Sequence, residues 1–138
     1  MAEYIKPLPN PTHEDKEFWF AAKRHEFLLK KCHDCGAWVW FNDPMCTECQ
    51  SMQMDWVPSE GKGTVFTYNI VYRNFTLGFT DEDLPYINVI VELDEGARMF
   101  ANLVDCKPED VKIDMPVELF FVDVTEEVTL PRFRPAKA

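Results

Sequence analysis

The sequence of 138 residues predicts a mainly β protein: an N-terminal helix, a four-cysteine zinc ribbon of rubredoxin type, then a five-stranded OB-fold barrel. Three observations predict it. Two Cys-x-x-Cys pairs stand ten residues apart. Five runs of β-forming residues, punctuated by turn signals, fill about the last seventy residues. One short segment near the N-terminus places apolar residues at helical spacing behind a capping signal.

Pro7, Pro9 and Pro11 predict an extended arm at the start of the chain. Thr12-His13-Glu14-Asp15 reads as a capping box, the Thr12 hydroxyl meeting first-turn amides and Asp15 reaching back. A helix to about His25 follows, with Phe18, Ala21, Ala22 and His25 on one face and Trp19 and Phe20 widening it. Phe18, Trp19 and Phe20 need a surface to cover them. Either they pack on their own domain or the helix docks on a partner.

Phe27–Lys31 and Trp38–Phe41 read as short strands leading into the two cysteine pairs, and Met54–Val57 as the strand leading out. Cys32-His33-Asp34-Cys35 and Cys46-Thr47-Glu48-Cys49 each form a knuckle that aims two sulfurs at one point, and Gly36 frees the chain to turn at the first exit. Four thiolates fill a tetrahedral shell and leave no position for water or substrate, so the expected Zn2+ is structural. Iron in the same shell is the chemical rival. His33 is expected to be exposed rather than a ligand. Paired cysteine motifs of this kind suit a reducing compartment, where they take metal rather than form disulfides.

Gly63–Arg73, Tyr86–Leu93, Ala97–Val104, Pro116–Val124 and Val128–Phe133 read as the barrel strands. Asp94-Glu95-Gly96 marks a hairpin, and Pro108–Val111 one helical turn. Five strands with a helical turn between the third and fourth suit a small Greek-key barrel; a seven-stranded sandwich needs more chain. The expected divisions are 1–26 for arm and helix, 27–60 for the ribbon, and 61–138 for the barrel and tail.

The formal net charge is −10, and between Thr76 and Val128 fourteen acidic residues face only Arg98, Lys107 and Lys112. Such a surface repels phosphate backbones and works against nucleic-acid binding. The absence of an apolar run of eighteen residues and of a basic-then-apolar N-terminus predicts no membrane span and a cytoplasmic location. His13, His25 and His33 all precede the barrel, Cys106 has no histidine beside it, and no P-loop, GxGxxG or GxSxG is present. The chain is therefore expected to be non-catalytic on its own.

The blocks Phe18–Lys23, Leu28-Leu29, Cys32–Gly36, Cys46–Cys49, Gly61–Tyr68, Pro85-Tyr86 and Val91–Gly96, in this order and spacing, resemble the zinc-ribbon OB-fold proteins once called DUF35. Two departures are visible: Pro44 stands alone where the family often has two prolines, and Asp114 occupies a position where glycine is common. The resemblance implies a hetero-oligomer with a thiolase-like enzyme of acyl-CoA metabolism or with a lipid-transfer-protein-like aldolase of side-chain cleavage. The partner would carry the chemistry, by thiolysis or retro-aldol cleavage, and this chain would help form the acyl-CoA channel, with CoA a shared ligand.

CoA phosphates call for basic contacts. Lys30, Lys62, Arg73, Arg132 and Arg134 lie outside the acidic block and are the candidates, beside Lys23, Arg24 and Lys31. After the first barrel strand, Phe75, Leu77 and Phe79 alternate with small or polar residues and would face one way in an extended segment. They would meet the partner or the acyl-CoA, or else plug the barrel's open end. Two other functions compete. An OB-fold nucleic-acid binder could stack bases on Tyr68, Tyr72 and Phe75, against the charge. An independent acyl-CoA hydratase lacks a histidine in the barrel.

Overall fold

The computed structural model describes residues 4–40 and 42–136. Helix α1 (Lys16–Lys23) is followed by ribbon strands β1 (Leu28–Cys32), β2 (Trp38–Val39) and β3 (Met54–Pro58). Five barrel strands complete the chain: β4 (Lys62–Val71), β5 (Tyr86–Leu93), β6 (Arg98–Leu103), β7 (Pro116–Asp123) and β8 (Thr129–Pro135). Phe41, which the sequence placed at the end of the second ribbon strand, lies outside the described residues.

Asp15 reaches back as expected, taking the Thr12 amide at 2.6 Å, but it also takes the Thr12 hydroxyl at 3.0 Å. That hydroxyl is thereby turned away from the first-turn amides, and the helix starts at Lys16 instead of beside Thr12. It also ends earlier than the periodicity suggests. His25 takes a left-handed conformation at φ 61°, and the amides of His25 and Glu26 bond back to Ala22 and Ala21 at 2.8 and 3.0 Å. This is a Schellman stop, with histidine in the place glycine usually takes. The His25 imidazole then meets the Asp123 carboxylate at 2.9 Å and lies on the Phe121 ring, tying the helix end to β7.

The ribbon sheet has the order β2-β1-β3, and the barrel closes as β4-β5-β6-β8-β7. Every barrel pairing is antiparallel except the β6–β8 contact at Leu103 and Phe133. This is the Greek-key order of an OB-fold. The alternation read from the sequence fills the interior: Ile87, Val89, Val91 and Leu93 of β5, then Met99, Ala101 and Leu103 of β6, are buried. Val65, Val117 and Phe133 meet them from the remaining strands, and Val111, beside the Pro108–Asp110 turn, joins the same cluster. Phe18, Phe27 and Leu29 also belong to it, so helix, ribbon and barrel share one core. Full burial of a side chain such as Phe18 contributes about 1.5–3 kcal/mol.

Two backbone positions make this closure possible. Gly63 pairs with Leu93 on one side of β4 and with Val117 on the other, and a Cβ there would collide with the Glu92 carbonyl. Asp114 has φ 67°. Its amide bonds to the Val65 carbonyl at 2.8 Å, so the left-handed turn into β7 is pinned to β4, and aspartate tolerates that conformation better than most residues.

Gly63→Ala is expected to cost about 1–3 kcal/mol in urea unfolding through overpacking against backbone. Thr67→Ala, on the exposed outer side of the same strand, is expected to stay within about 0.5 kcal/mol. Equal effects would show that strand crowding at Gly63 is relieved elsewhere.

Candidate metal centre and flanking surfaces

Cys32 closes β1 and Cys35 lies in the turn beyond it; Cys46 follows no strand, but Cys49 likewise lies in the turn beyond it. The two knuckles are near copies. The Gly36 amide bonds to the Cys32 carbonyl and the Gln50 amide to the Cys46 carbonyl, each at 3.0 Å. The Cys32 amide bonds to the Ala37 carbonyl and the Cys46 amide to the Ser51 carbonyl. Both exits are left-handed, at φ 79° for Gly36 and 64° for Gln50. Sequence reading found the first exit through its glycine and missed the second, whose only signal is its identical offset from the cysteine. The Ser51 hydroxyl also donates to the Asp34 carboxylate, joining one knuckle to the other.

All four sulfurs lie within 4.8 Å of one another, with Cys32–Cys49 and Cys35–Cys46 each at 3.5 Å. A tetrahedral zinc with bonds of about 2.3 Å requires sulfurs about 3.8 Å apart, so the set fits the ion. The electrostatics ask for it as well. The backbone amides of Cys35 and Asp34 hold the Cys32 thiol down at about 6. Cys49 accepts a comparable bond from the Ser51 amide, yet crowding by the Cys32, Cys35 and Cys46 sulfurs and burial push it up to about 12. Four charges at this spacing need a dication between them. Cys32 and Cys46 are buried, while Cys35 and Cys49 are exposed. His33 stands outside the cluster, 3.6 Å from Asp55, and is exposed as expected.

The basic candidates fall in three different settings. Lys30 turns inward: it is buried, its ammonium donates to the Asp43 carbonyl at 2.8 Å and lies over the Trp56 ring, and burial lowers its pKa. That commits it to the ribbon instead of to a ligand. Lys62, Glu118 and Arg134 form one row across β4, β7 and β8, and Phe120 and Arg132 form the next row of β7 and β8. Arg134 bonds to Glu118 at 3.2 Å and stacks on Phe120. Arg73 stands exposed beyond the other end of β4, on the order of 30 Å along the strand from Lys62.

The apolar candidates divide too. Phe18 is core, packed edge-on to Trp19 and Phe27; Trp19 is half-buried, and Phe20 alone of the three remains exposed. Packing within the chain thus accounts for most of the helix face. In the β4–β5 loop the Phe79 amide bonds to the Thr76 carbonyl, a turn at Leu77-Gly78 that breaks the expected extended alternation. Phe79 packs on Tyr86, whereas Phe75 is 77% and Leu77 90% exposed. Neither plugs the barrel.

Cys106 is half-buried and donates to the Lys107 carbonyl, and burial with Asp110 and Glu109 nearby raises its pKa. That favours the thiol over the nucleophilic thiolate. Among the described residues no helix is long and apolar enough to cross a membrane.

Metal analysis of purified protein is expected to give about one zinc per chain. Stripping the ion, or changing Cys32 and Cys35 together to Ser, is expected to lower Tm by at least about 10 °C. Trp38, Trp40 and Trp56 pack between ribbon and barrel, so emission should shift to the red as the ribbon loosens. A chelator-indifferent Tm, or a dominant iron signal, would count against the zinc assignment.

Residues 19–55 match the family model of the ChsH2 rubredoxin-like zinc ribbon domain, and residues 56–122 that of the ChsH2 C-terminal OB-fold domain. A probable enoyl-CoA hydratase alpha subunit of Thermomonospora curvata is 36% identical over 133 residues, covering 96% of this chain and 40% of that one. The chain thus spans less than half the length of that relative. A DUF35 domain-containing scaffold protein of Methanocaldococcus jannaschii is 36% identical over 109 residues, with 76% of this chain and 74% of the other covered. The benzoylsuccinyl-CoA thiolase subunit BbsA of Geobacter metallireducens is 33% identical over 89 residues, 64% of this chain and 57% of that one. Among solved structures, a chain of an Ltp2-ChsH2(DUF35) aldolase superposes with a TM-score of 0.80 at 32% identity, covering 94% of this chain and 99% of its own. With a closed four-cysteine ribbon joined to an OB barrel and these matches along most of its length, the chain belongs to the DUF35 family of ChsH2-type zinc-ribbon OB-fold proteins.

Proposed function

We propose that this chain is a non-catalytic subunit that binds a thiolase-like enzyme of acyl-CoA metabolism and supports its channel. The observation that carries the reading is the likeness, along nearly the whole chain, to the DUF35 component of the Ltp2-ChsH2(DUF35) aldolase. The thiolase-subunit name of BbsA points the same way, and the archaeal relatives are named scaffold proteins. The chemistry of the chain agrees. Its metal shell is closed, Cys106 is held as a thiol, and the His25 imidazole is occupied by Asp123.

For the shared CoA, the surface favoured is the outer face of β4, β7 and β8. Lys62, Arg132 and Arg134 gather there beside Glu118, with Asp94 at the Lys62 edge, and Phe120 offers a flat apolar ring beneath Arg134. Guanidinium groups suit phosphate through paired donors. Lys30 is left out of this surface because its ammonium is bound inside the ribbon.

The hydratase names among the relatives favour a second reading, in which the enzyme served is a hydratase. A nucleic-acid role remains opposed by the net charge of −10.

Co-expression with its cognate enzyme subunit is expected to give a stable hetero-oligomer that cleaves acyl-CoA, while the purified chain alone stays silent toward both β-ketoacyl-CoA and enoyl-CoA. Enzyme-like turnover by the chain alone would refute the subunit reading. A complex that only hydrates enoyl-CoA would select the hydratase partner. Salt-sensitive binding to single-stranded oligonucleotide would favour the nucleic-acid alternative.

A further inference from the structure

We propose that Ile5, Phe75 and Leu77 form a preassembled docking knob that enters an apolar pocket, rimmed by basic residues, on the enzyme partner. The inference rests on the subunit reading and adds to it the surface used and the chemistry it requires.

Three large apolar side chains stand exposed on two segments, far apart in sequence, whose backbones the fold brings into contact. Phe75 is 77% exposed, Leu77 90% and Ile5 65%. Ile5 belongs to the N-terminal arm, and its carbonyl lies so close to Gly78 that any side chain at 78 would collide with it. Ile5 is thereby set beside the loop, one residue from Leu77. An apolar group of this size left in water on a folded chain marks a surface that something else covers.

The knob is held, not loose. The Asn74 side-chain amide donates to the Phe79 carbonyl at 2.6 Å, closing the loop across the turn. Thr80 caps the short helical turn Asp81–Asp83. The Asp83 carboxylate acts on both segments: one oxygen takes the Thr80 amide at 2.8 Å and the other the Lys6 ammonium at 2.9 Å. Lys6 also lies 5.0 Å from the centre of the Phe79 ring, which itself rests on Tyr86 of β5. Lys6 and its two contacts therefore clasp arm to loop, and the loop is anchored to the barrel. A surface ordered before binding loses less conformational freedom on docking.

Charge selects the occupant. Asp81 and Glu82 are exposed beside the apolar tip, and Asp83 is neutralised by Lys6. Arg73 is the one basic residue between Val71 and Pro85. The rim is net acidic, so it repels anionic lipid headgroups and CoA phosphates alike. A second copy of the chain would set two acidic rims against each other. What fits is a protein pocket that is apolar at its floor and carries Lys or Arg at its edge. Three side chains are too few for a whole interface of about 1,600 Å², but they suit the anchor of one.

The test uses the partner identified by co-purification from the source, then produced separately and titrated against the full chain. F75S/L77S is expected to raise Kd about a hundredfold or more while the Tm of the free chain is unchanged. D81K/E82K should weaken binding about tenfold and flatten its salt dependence. Lys6→Ala should speed amide exchange at Gly78 and weaken binding several-fold, without touching Phe75 or Leu77. A Kd for F75S/L77S within about twofold of the unaltered chain overturns the knob while leaving the subunit reading intact. So does Phe75- and Leu77-dependent sedimentation with phosphatidylcholine–phosphatidylserine vesicles, or self-association through the same residues. Absence of any complex with the unaltered chain removes the subunit reading, and the knob with it.

Discussion

Four thiolates confined within 4.8 Å repel one another, and a dication at their centre converts that repulsion into a cross-link between two stretches of chain. The cross-link reaches the rest of the molecule through β1. Cys32 ends that strand, and Leu29, three residues earlier, is buried in the barrel's own core. Phe27, just before the strand, packs edge-on to Phe18 of the helix, and the Phe27 carbonyl takes the Ser59 amide at the ribbon's exit. Trp38, Trp40 and Trp56 add the ribbon's partly buried rings to the same cluster. The ribbon is thus no appendage. It closes one side of a core that neither it nor the helix could build alone, which is why metal loss should be felt well beyond the four ligands.

The parts most legible in the sequence were those governed by local rules. Barrel strands were readable because burial alternates along them, as in Ile87, Val89, Val91 and Leu93. The ligands were readable because a CxxC knuckle needs only four residues. Where backbone freedom was required, the sequence showed it only when glycine supplied it. Gly36 announced a left-handed exit; Gln50, His25 and Asp114 adopt the same conformation without announcing it. At each of these three, hydrogen bonds to or beside the residue carry the turn: the Gln50 amide on Cys46, the Schellman pair on Ala21 and Ala22, and the Asp114 amide on Val65. Asp114 thus makes the left-handed turn into β7 without a glycine.

The β4–β5 loop is not extended, for an instructive reason. Alternation predicts a shared face only for an extended chain, and Leu77-Gly78 turns. What joins the loop to the arm is an ion pair between Lys6 and Asp83, seventy-seven residues apart. No pattern within the loop encodes a contact of that separation. Nor could the proline-rich arm be told from a free tail, since the residue that clasps it to the loop is a single lysine in its midst. Lys30 shows the converse. Counted among basic residues it looks available, yet its neighbours Asp43 and Trp56 hold it inside the ribbon.

The two surfaces that matter for the proposed role sit at opposite ends of β4. Lys62 begins the strand, in a row with Glu118 and Arg134; the acidic, apolar-tipped loop follows its last residue, Val71. A ten-residue strand separates them by roughly 30 Å. At ordinary ionic strength, charges that far apart scarcely influence each other, because screening acts over about 8–10 Å. The chain can therefore present opposite signs to different ligands without either spoiling the other. On the proposed reading, phosphates are drawn to the β7–β8 side and turned away from the loop, and a basic-rimmed protein pocket is drawn to the loop. On the proposed reading, this separation lets one small barrel bind its enzyme at one end and leave the other free to meet the charged end of the substrate.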